Sequence, residues 1–330
     1  MVERDDPRQP RRPDPELELL HLAGPRPAVP REREERVRGA VRGHWRKTVN
    51  GRRPRSPIWL AAPLAVAAAI ILVILLPQRR PTPPLLLGAV EVVTGPVRVE
   101  TAAGTAAAAA GMELVEGAKV ATDDRGRVAL RLGAVSVRLD TSSQVVLASS
   151  NRLALERGAV YLDAQAPAAG GGLTVSTPLA DVIELGTQFE VRLLDDQVRI
   201  RVREGAVALR RGGPLRTAGA GEVVSLARDG TVEVGRIAGD DPGWSWVLAV
   251  APPFRLEGSS AASFTRWAAR ESGLALRWSD PEVAAAAESI TLHGDATGVP
   301  PDRAPAVILP TCGLTHRVEN GTLLVGRPGS

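Results

Sequence analysis

The chain has 330 residues, enough for two or three folded units. Its net charge of +4 is unevenly placed: residues 1–56 hold 15 basic and 9 acidic side chains, leaving 26 basic and 28 acidic for the remainder. Basicity is thus a property of an N-terminal arm, no nucleic-acid recognition motif accompanies it, and direct nucleic-acid binding is not expected. A single cysteine, Cys312, excludes an internal disulfide; with only His316 four residues on, it makes no zinc site and reads as a buried small residue.

The arm, residues 1–56, predicts two short helices. Asp14 caps the first, Pro15 fits its opening position and Gly24-Pro25 stops it. The second runs from about residue 31 to 49, where Val37, Val41, Trp45 and Val49 recur every four residues on one face. That stripe calls for burial, against the first helix or against another protein; a basic helix lying on anionic lipid is the alternative.

Residues 57–77, PIWLAAPLAVAAAIILVILLP, carry no charge over 21 positions, the length of a transmembrane helix. Seven basic residues between Arg38 and Arg55 precede the segment and only Arg79 and Arg80 closely follow it. Basic flanks stay cytoplasmic, so the expected topology is a single-pass bacterial inner-membrane protein, N-terminus inside and residues 78–330 periplasmic. Residues 78–88 read as a proline-stiffened spacer.

From 89 to 235 the pattern turns to period two, with short apolar-polar runs and glycine turns predicting an all-β sandwich or β-solenoid-like domain. Tight turns are expected at Arg157-Gly158, Asp195-Asp196, Glu204-Gly205 and Asp229-Gly230, and ERGAV at 156–160 recurs as REGAV at 203–207. VIELGTQFEVRL, 182–193, reads as one strand with Leu185, Thr187, Phe189, Val191 and Leu193 on one face and Gly186 in its middle. After a connector, 236–253, in which Trp244 and Trp246 read as packed contacts, residues 254–330 predict a small α+β domain. Its expected elements are a strand FRLEG (254–258), a helix capped by Ser259 or Ser260 and closed by Gly273, and a strand LALRW (274–278). An Ala-rich linker, a strand SITLHGD (289–295), a short helix before Gly313 and a final hairpin follow.

Four segments together, LERGAVYLDAQ (155–165), VIELGTQFEVRL (182–193), VRIRVREGAVALRR (198–211) and GEVVS (221–225), closely resemble the core of the FecR family. Residues 254–325 resemble the STN fold. The resemblance implies a transmembrane sigma regulator whose periplasmic end senses an outer-membrane receptor or another envelope protein, and whose arm holds or activates an ECF-type sigma factor. The arm departs from the family in being short and proline-rich, without a clear multi-helix anti-sigma domain. The resemblance also implies self-cleavage between Gly186 and Thr187, by attack of the threonine hydroxyl on the glycine carbonyl. Fragments 1–186 and 187–330 are then expected to stay together through the strand pair 187–193 and 197–203. A strand glycine that only permits a bulge is the competing reading.

No ordinary active site, cofactor or metal is expected: His21, His44, His293 and His316 lack partner motifs, and GAG at 219–221 reads as a turn. The alternative to a sigma regulator is an envelope scaffold with a polybasic membrane anchor.

Overall fold

A computed structural model describes residues 32, 35–41, 85–164 and 172–329. The chain divides into two compact units, Met1–Arg80 and Pro81–Ser330. In the first, residues 35–41 are helical, with Val37 and Val41 exposed. Trp45, Val49, the first arm helix and segment 57–77 lie outside the described residues. Among the described residues no helix is long and apolar enough to cross a membrane.

In the second unit the period-two pattern produces strands, as alternation of β-branched and polar residues should. They are β1 (Leu86–Thr94), β2 (Val97–Thr101), β3 (Gly104–Ala107), β4 (Glu113–Val115), β5 (Lys119–Thr122) and β6 (Arg127–Leu132). Next come β7 (Val135–Leu139), β8 (Gln144–Ser149), β9 (Arg152–Arg157), β10 (Ala159–Ala164), β11 (Thr174–Ser176) and β12 (Asp181–Glu184). β13 (Gln188–Leu193), β14 (Gln197–Glu204), β15 (Ala206–Arg210), β16 (Arg216–Gly219), β17 (Glu222–Ala227) and β18 (Val232–Arg236) complete them. The first strand takes in Leu86–Gly88, the end of the segment read as a spacer.

One nine-stranded sheet has the order β18-β17-β14-β13-β10-β7-β6-β1-β4, and the other β16-β15-β12-β11-β9-β8-β5-β2-β3. Order in space thus largely follows order in sequence, and the chain crosses between sheets as it advances. The fold is both of the expected things at once, a two-sheet sandwich wound like a flattened solenoid. Between the sheets lies one apolar core in which Leu130, Val137, Leu153, Leu162, Phe189 and Ile200 are fully buried. The wound path keeps most pairings local, antiparallel between near neighbours, with β9–β11 the parallel exception.

Two of the four expected turns are not hairpins. Asp195-Asp196 joins β13 to β14 and Asp229-Gly230 joins β17 to β18, each within one sheet. Arg157-Gly158 and Glu204-Gly205 instead carry the chain from one sheet to the other, β9 to β10 and β14 to β15. The cause is backbone: Gly158 and Gly205 sit at φ +77° and +76°, where other L-residues are strained. Neither has room for a Cβ, which would stand 2.6 Å from the Ser143 Cα and 2.5 Å from the Gly186 carbonyl oxygen respectively. The ERGAV/REGAV repeat marks these corners. VIELGTQFEVRL is likewise not one strand: β12 ends at Glu184 in one sheet and β13 starts at Gln188 in the other.

Beyond Arg236 the connector forms a 3-10 turn (Pro242–Trp244) and α1 (Ser245–Leu248). Then follow α2 (Ala261–Ser272), β19 (Ala275–Trp278), α3 (Pro281–Ser289), α4 (Ala304–Ile308), a 3-10 turn (Leu309–Cys312), β20 (Thr315–Glu319) and β21 (Thr322–Gly326). The Ser260 side chain accepts from the Ser263 N–H and Gly273 closes α2 in the left-handed region, the ends its sequence announces. Phe264 and Ala268 are buried, and Trp267 packs with Phe254 and Phe264.

Three expectations fail here. FRLEG is not a strand: Pro252 and Pro253 before it bring no N–H, and the Phe254 ring turns into the aromatic cluster. The Ala-rich linker is helix α3, capped by Asp280 with Pro281 in its first turn. Because that helix runs through Ser289, SITLHGD keeps only an isolated bridge, Thr291 with Ser260. The final hairpin forms as read and pairs within a sheet of order β19-β21-β20.

The corner geometry yields a stability prediction. Gly158→Ala combines a disfavoured φ with backbone overlap and should cost about 2–4 kcal/mol in urea denaturation. Gly133→Ala, at φ +56° but with no atom within 4 Å of its Cβ, should cost about 1 kcal/mol. Equal losses would mean that φ alone matters at the corner.

Candidate functional site

Between β12 and β13 the residues Leu185-Gly186-Thr187 turn the chain from one sheet to the other, with Gly186 at φ +86°. Leu185 is 49% exposed, so it does not share the inward face assigned to it, whereas Thr187, Gln188 and Glu184 are each at most 1% exposed. Neighbouring strands hold the turn in place: the Ala164 N–H donates to the Thr187 carbonyl at 3.1 Å, and the Glu184 N–H to the Leu173 carbonyl at 3.1 Å. Gly205 lies against the Gly186 carbonyl and the Thr187 methyl, and Gly172 lies against Glu184. Side chains at either glycine would collide with the turn.

Three polar atoms here are buried without a hydrogen-bond partner, Gln188 Nε2 among them. Glu184 accepts from the Gly186 N–H through Oε1, while its buried Oε2 has no partner. Thr187 Oγ1 is also buried and unpartnered. Burying such atoms without hydrogen bonds costs about 1–3 kcal/mol each. A hydroxyl, a peptide carbonyl beside it and a free carboxylate oxygen are the parts an intramolecular acyl shift requires. Glu184 and Glu190 are the two carboxylates near Thr187 in the sequence, and Glu190 is wholly committed elsewhere.

It belongs to the outer face of the sheet containing β7, β10, β13 and β14. Strand register places Arg138, Tyr161, Glu190 and Arg201 side by side across those four strands. Outward residues of a sandwich are ordinarily solvated, yet Arg138 and Glu190 are 0% exposed because the connector and α2 cover them. Arg201 grips Glu190 with two bonds, Nε to Oε1 at 3.0 Å and Nη2 to Oε2 at 2.6 Å, and Trp246 donates to Oε2 at 3.0 Å. Trp244 stacks under the Arg201 guanidinium at 4.3 Å and meets Tyr161 edge-on. The packed-contact reading of both tryptophans holds.

Guanidiniums also reach across to the C-terminal region. Arg138 donates to Glu271 Oε1 at 2.9 Å and to the Val247 carbonyl at 3.2 Å. Arg203 donates to the carbonyls of Gly239 and Glu271 at 2.6 and 2.8 Å. Burial works to lower the Arg138 pKa, but Glu271, with Tyr161 and Asp163, outweighs it and raises the value. Burial also dominates at Tyr161, lifting its phenol well above the ordinary range. At Asp140 burial is overcome by bonds from Arg192, the Thr141 N–H and Arg127, which hold the carboxyl below its usual value.

Residues 118–208 match the family model described as FecR protein. The two-sheet region contains a FecR domain. The matched span runs from just before β5 into β15, and so takes in the ERGAV, LGT and REGAV corners. No curated protein matches the chain. Two crystal structures of a protein named as an anti-sigma factor from Parabacteroides distasonis ATCC 8503 are similar at 15% identity, covering 63% of this chain and 98% of theirs, with TM-scores of 0.35 and 0.36.

Among the described residues no three His, Cys, Asp or Glu come together to hold a metal. His293 pairs with Glu257 at the surface, and His316 is partly buried, which lowers its pKa. Cys312 is half-buried at the edge of the C-terminal core. Sequence reading missed the charged face of the FecR domain. Its signal was present in QVRIRVRE, where Arg199, Arg201 and Arg203 alternate with Val198, Ile200 and Val202; alternation says which face they take but not what covers it. Glu190→Ala would leave Arg201 buried without its carboxylate and should cost about 3–5 kcal/mol in chemical denaturation. A loss below about 1 kcal/mol would mean that the face is hydrated in solution.

Proposed function

We propose that this chain is a single-pass inner-membrane regulator that relays an envelope signal to an ECF-type sigma factor by protein contacts. The FecR domain at 118–208 carries the reading. The uncharged segment 57–77 and the basic arm before it support an anchor with the N-terminus inside the cell. In this reading residues 254–325 are an STN-like module that meets an outer-membrane receptor or another envelope protein through the edge strand β20. The sigma factor docks on the arm stripe of Val37, Val41, Trp45 and Val49.

The arm is tested by co-purification with the sigma factor. Trp45→Ala should weaken capture by about 2 kcal/mol or more, as an aromatic interface anchor does, with Arg52→Ala and Arg53→Ala mattering less. The reverse ranking, with membrane affinity lost and no sigma factor recovered, supports the scaffold with a polybasic anchor instead.

At the LGT corner the proposed chemistry is cleavage of the Gly186–Thr187 bond. Thr187 Oγ1 attacks the Gly186 carbonyl carbon as Glu184 Oε2 takes the hydroxyl proton; the C–N bond breaks and the proton passes to the Thr187 nitrogen. An ester between Gly186 and Thr187 Oγ1 results, with a free amine at Thr187, and water hydrolyses it to a Gly186 carboxylate and the restored hydroxyl. The strand pair expected to hold the fragments cannot do so, because β13 and β14 both follow the cut. The pairings that span it are β10 with β13 and β12 with β15.

On a denaturing gel, purified protein should show fragments 1–186 and 187–330. Cleavage should vanish in Thr187→Ala, persist in Thr187→Ser and slow about 100-fold or more in Glu184→Gln, in line with loss of general-base assistance. A full-length band under all conditions removes the cleavage reading and leaves Gly186 as a corner residue.

A further inference from the structure

The two strands beside the corner are paired from outside the FecR domain by one side chain. In the strand register Gln188, the residue after Thr187, lies between Asp163 of β10 and Glu204 of β14. Arg270, in the last turn of α2, pairs with both: with Asp163 Oδ1 at 2.5 Å and with Glu204 Oε2. Each of these carboxylates immediately precedes a residue that touches the Gly186–Thr187 link. After Asp163 comes Ala164, whose N–H donates to the Thr187 carbonyl; after Glu204 comes Gly205, which lies against the Gly186 carbonyl. One guanidinium therefore ties together the two strands that flank the corner.

Arg270 is itself placed by the docking of α2. The next residue, Glu271, takes the Arg138 guanidinium through its carboxylate and the Arg203 guanidinium through its carbonyl. Gly273 ends the helix against Gly239, where a Cβ would overlap the Gly239 carbonyl. A groove of about 430 Å³ runs between α2 and the strands, lined by Gln188, Arg203, Glu204 and Arg270 among others, so the clamp is reachable from solvent. Asp163 and Glu204 sit on separate strands, and among the described residues Arg270 is the one side chain with ion pairs to both. A strained turn keeps its geometry only while its surroundings enforce it.

We infer that Arg270 is a positioning residue through which docking of the C-terminal domain sets the geometry of the Gly186–Thr187 link, so that displacement of α2 by a partner lowers its reactivity. The second half of this inference rests on the cleavage reading above; the first half does not.

The test uses the full-length chain in detergent, with Thr187→Ala added for the exchange arm to keep every molecule intact. Arg270→Ala should speed hydrogen exchange at the amides of Ala164 and residues 186–189 at least tenfold, with no change at the Gly158 corner, whose residues are not among the Arg270 ion-pair partners. Arg270→Lys, which keeps the charge but not the fork, should fall between, and it keeps the test readable if the alanine variant unfolds. With Thr187 restored, Arg270→Ala, Asp163→Asn and Glu204→Gln should each slow cleavage about tenfold or more. Unchanged exchange at the corner overturns the inference even if the chain cleaves. Faster exchange with cleavage at the wild-type rate overturns the coupling. Faster exchange in a chain that never cleaves upholds the clamp and removes the cleavage reading alone.

Discussion

The docking of the connector and α2 on the two-sheet core is organised by the need to satisfy charges buried on an outward face. Arg138, Glu190, Arg201 and Arg203 stand on strands whose other side is packed with Val, Leu and Ile, and so cannot turn inward. Once covered, each ionised group must find partners or cost several kcal/mol. The covering segment supplies them: the carbonyls of Gly239, Gly243, Val247 and Glu271, the Glu271 carboxylate and the Trp246 indole N–H. An apolar interface would tolerate sliding. This one fixes the connector and α2 in a single position, because each guanidinium has its own acceptors, and a shift of one residue would leave several unpaired at once.

The sheet-crossing corners give this arrangement its second constraint. Gly186 and Gly205 touch, so two successive passages of the chain between sheets share one crowded point. That point sits at the edge of the charged face, under the end of α2. Three buried polar atoms at this point have no hydrogen-bond partner: Glu184 Oε2, Thr187 Oγ1 and Gln188 Nε2. The covered face has unpartnered atoms of its own, among them Arg138 Nε and the Tyr161 hydroxyl.

Much of this was legible in the residues. Period two gave the strands, Ser260 and Gly273 bounded α2, and Asn320-Gly321 gave the last hairpin; both turn residues take positive φ. Strand assignment failed where periodicity ran on through a change of sheet. VIELGTQFEVRL keeps its alternation across Gly186, so nothing in the pattern separates β12 from β13. Helix α3 was missed because an alanine run reads as linker unless Asp280-Pro281 is recognised as a cap and first turn. The charged face was half legible: parity along β14 assigns its arginines to the outer side, but their cover comes from more than thirty residues later in the chain, a separation no local pattern carries.

The wound path has a consequence for any chain severed at the LGT corner. Every strand before Thr187 lies on one side of a single line drawn through both sheets, and every later strand on the other: β10 faces β13 across it in one sheet, β12 faces β15 in the other. No strand of one piece is threaded between strands of its counterpart. The halves meet along a seam made of those two strand pairs, the shared apolar core and the Arg138 bonds to Val247 and Glu271. A sandwich of interleaved Greek-key strands, cut at one bond, would be knitted together by threaded strands; in this one a chain severed there would be held by its seam alone.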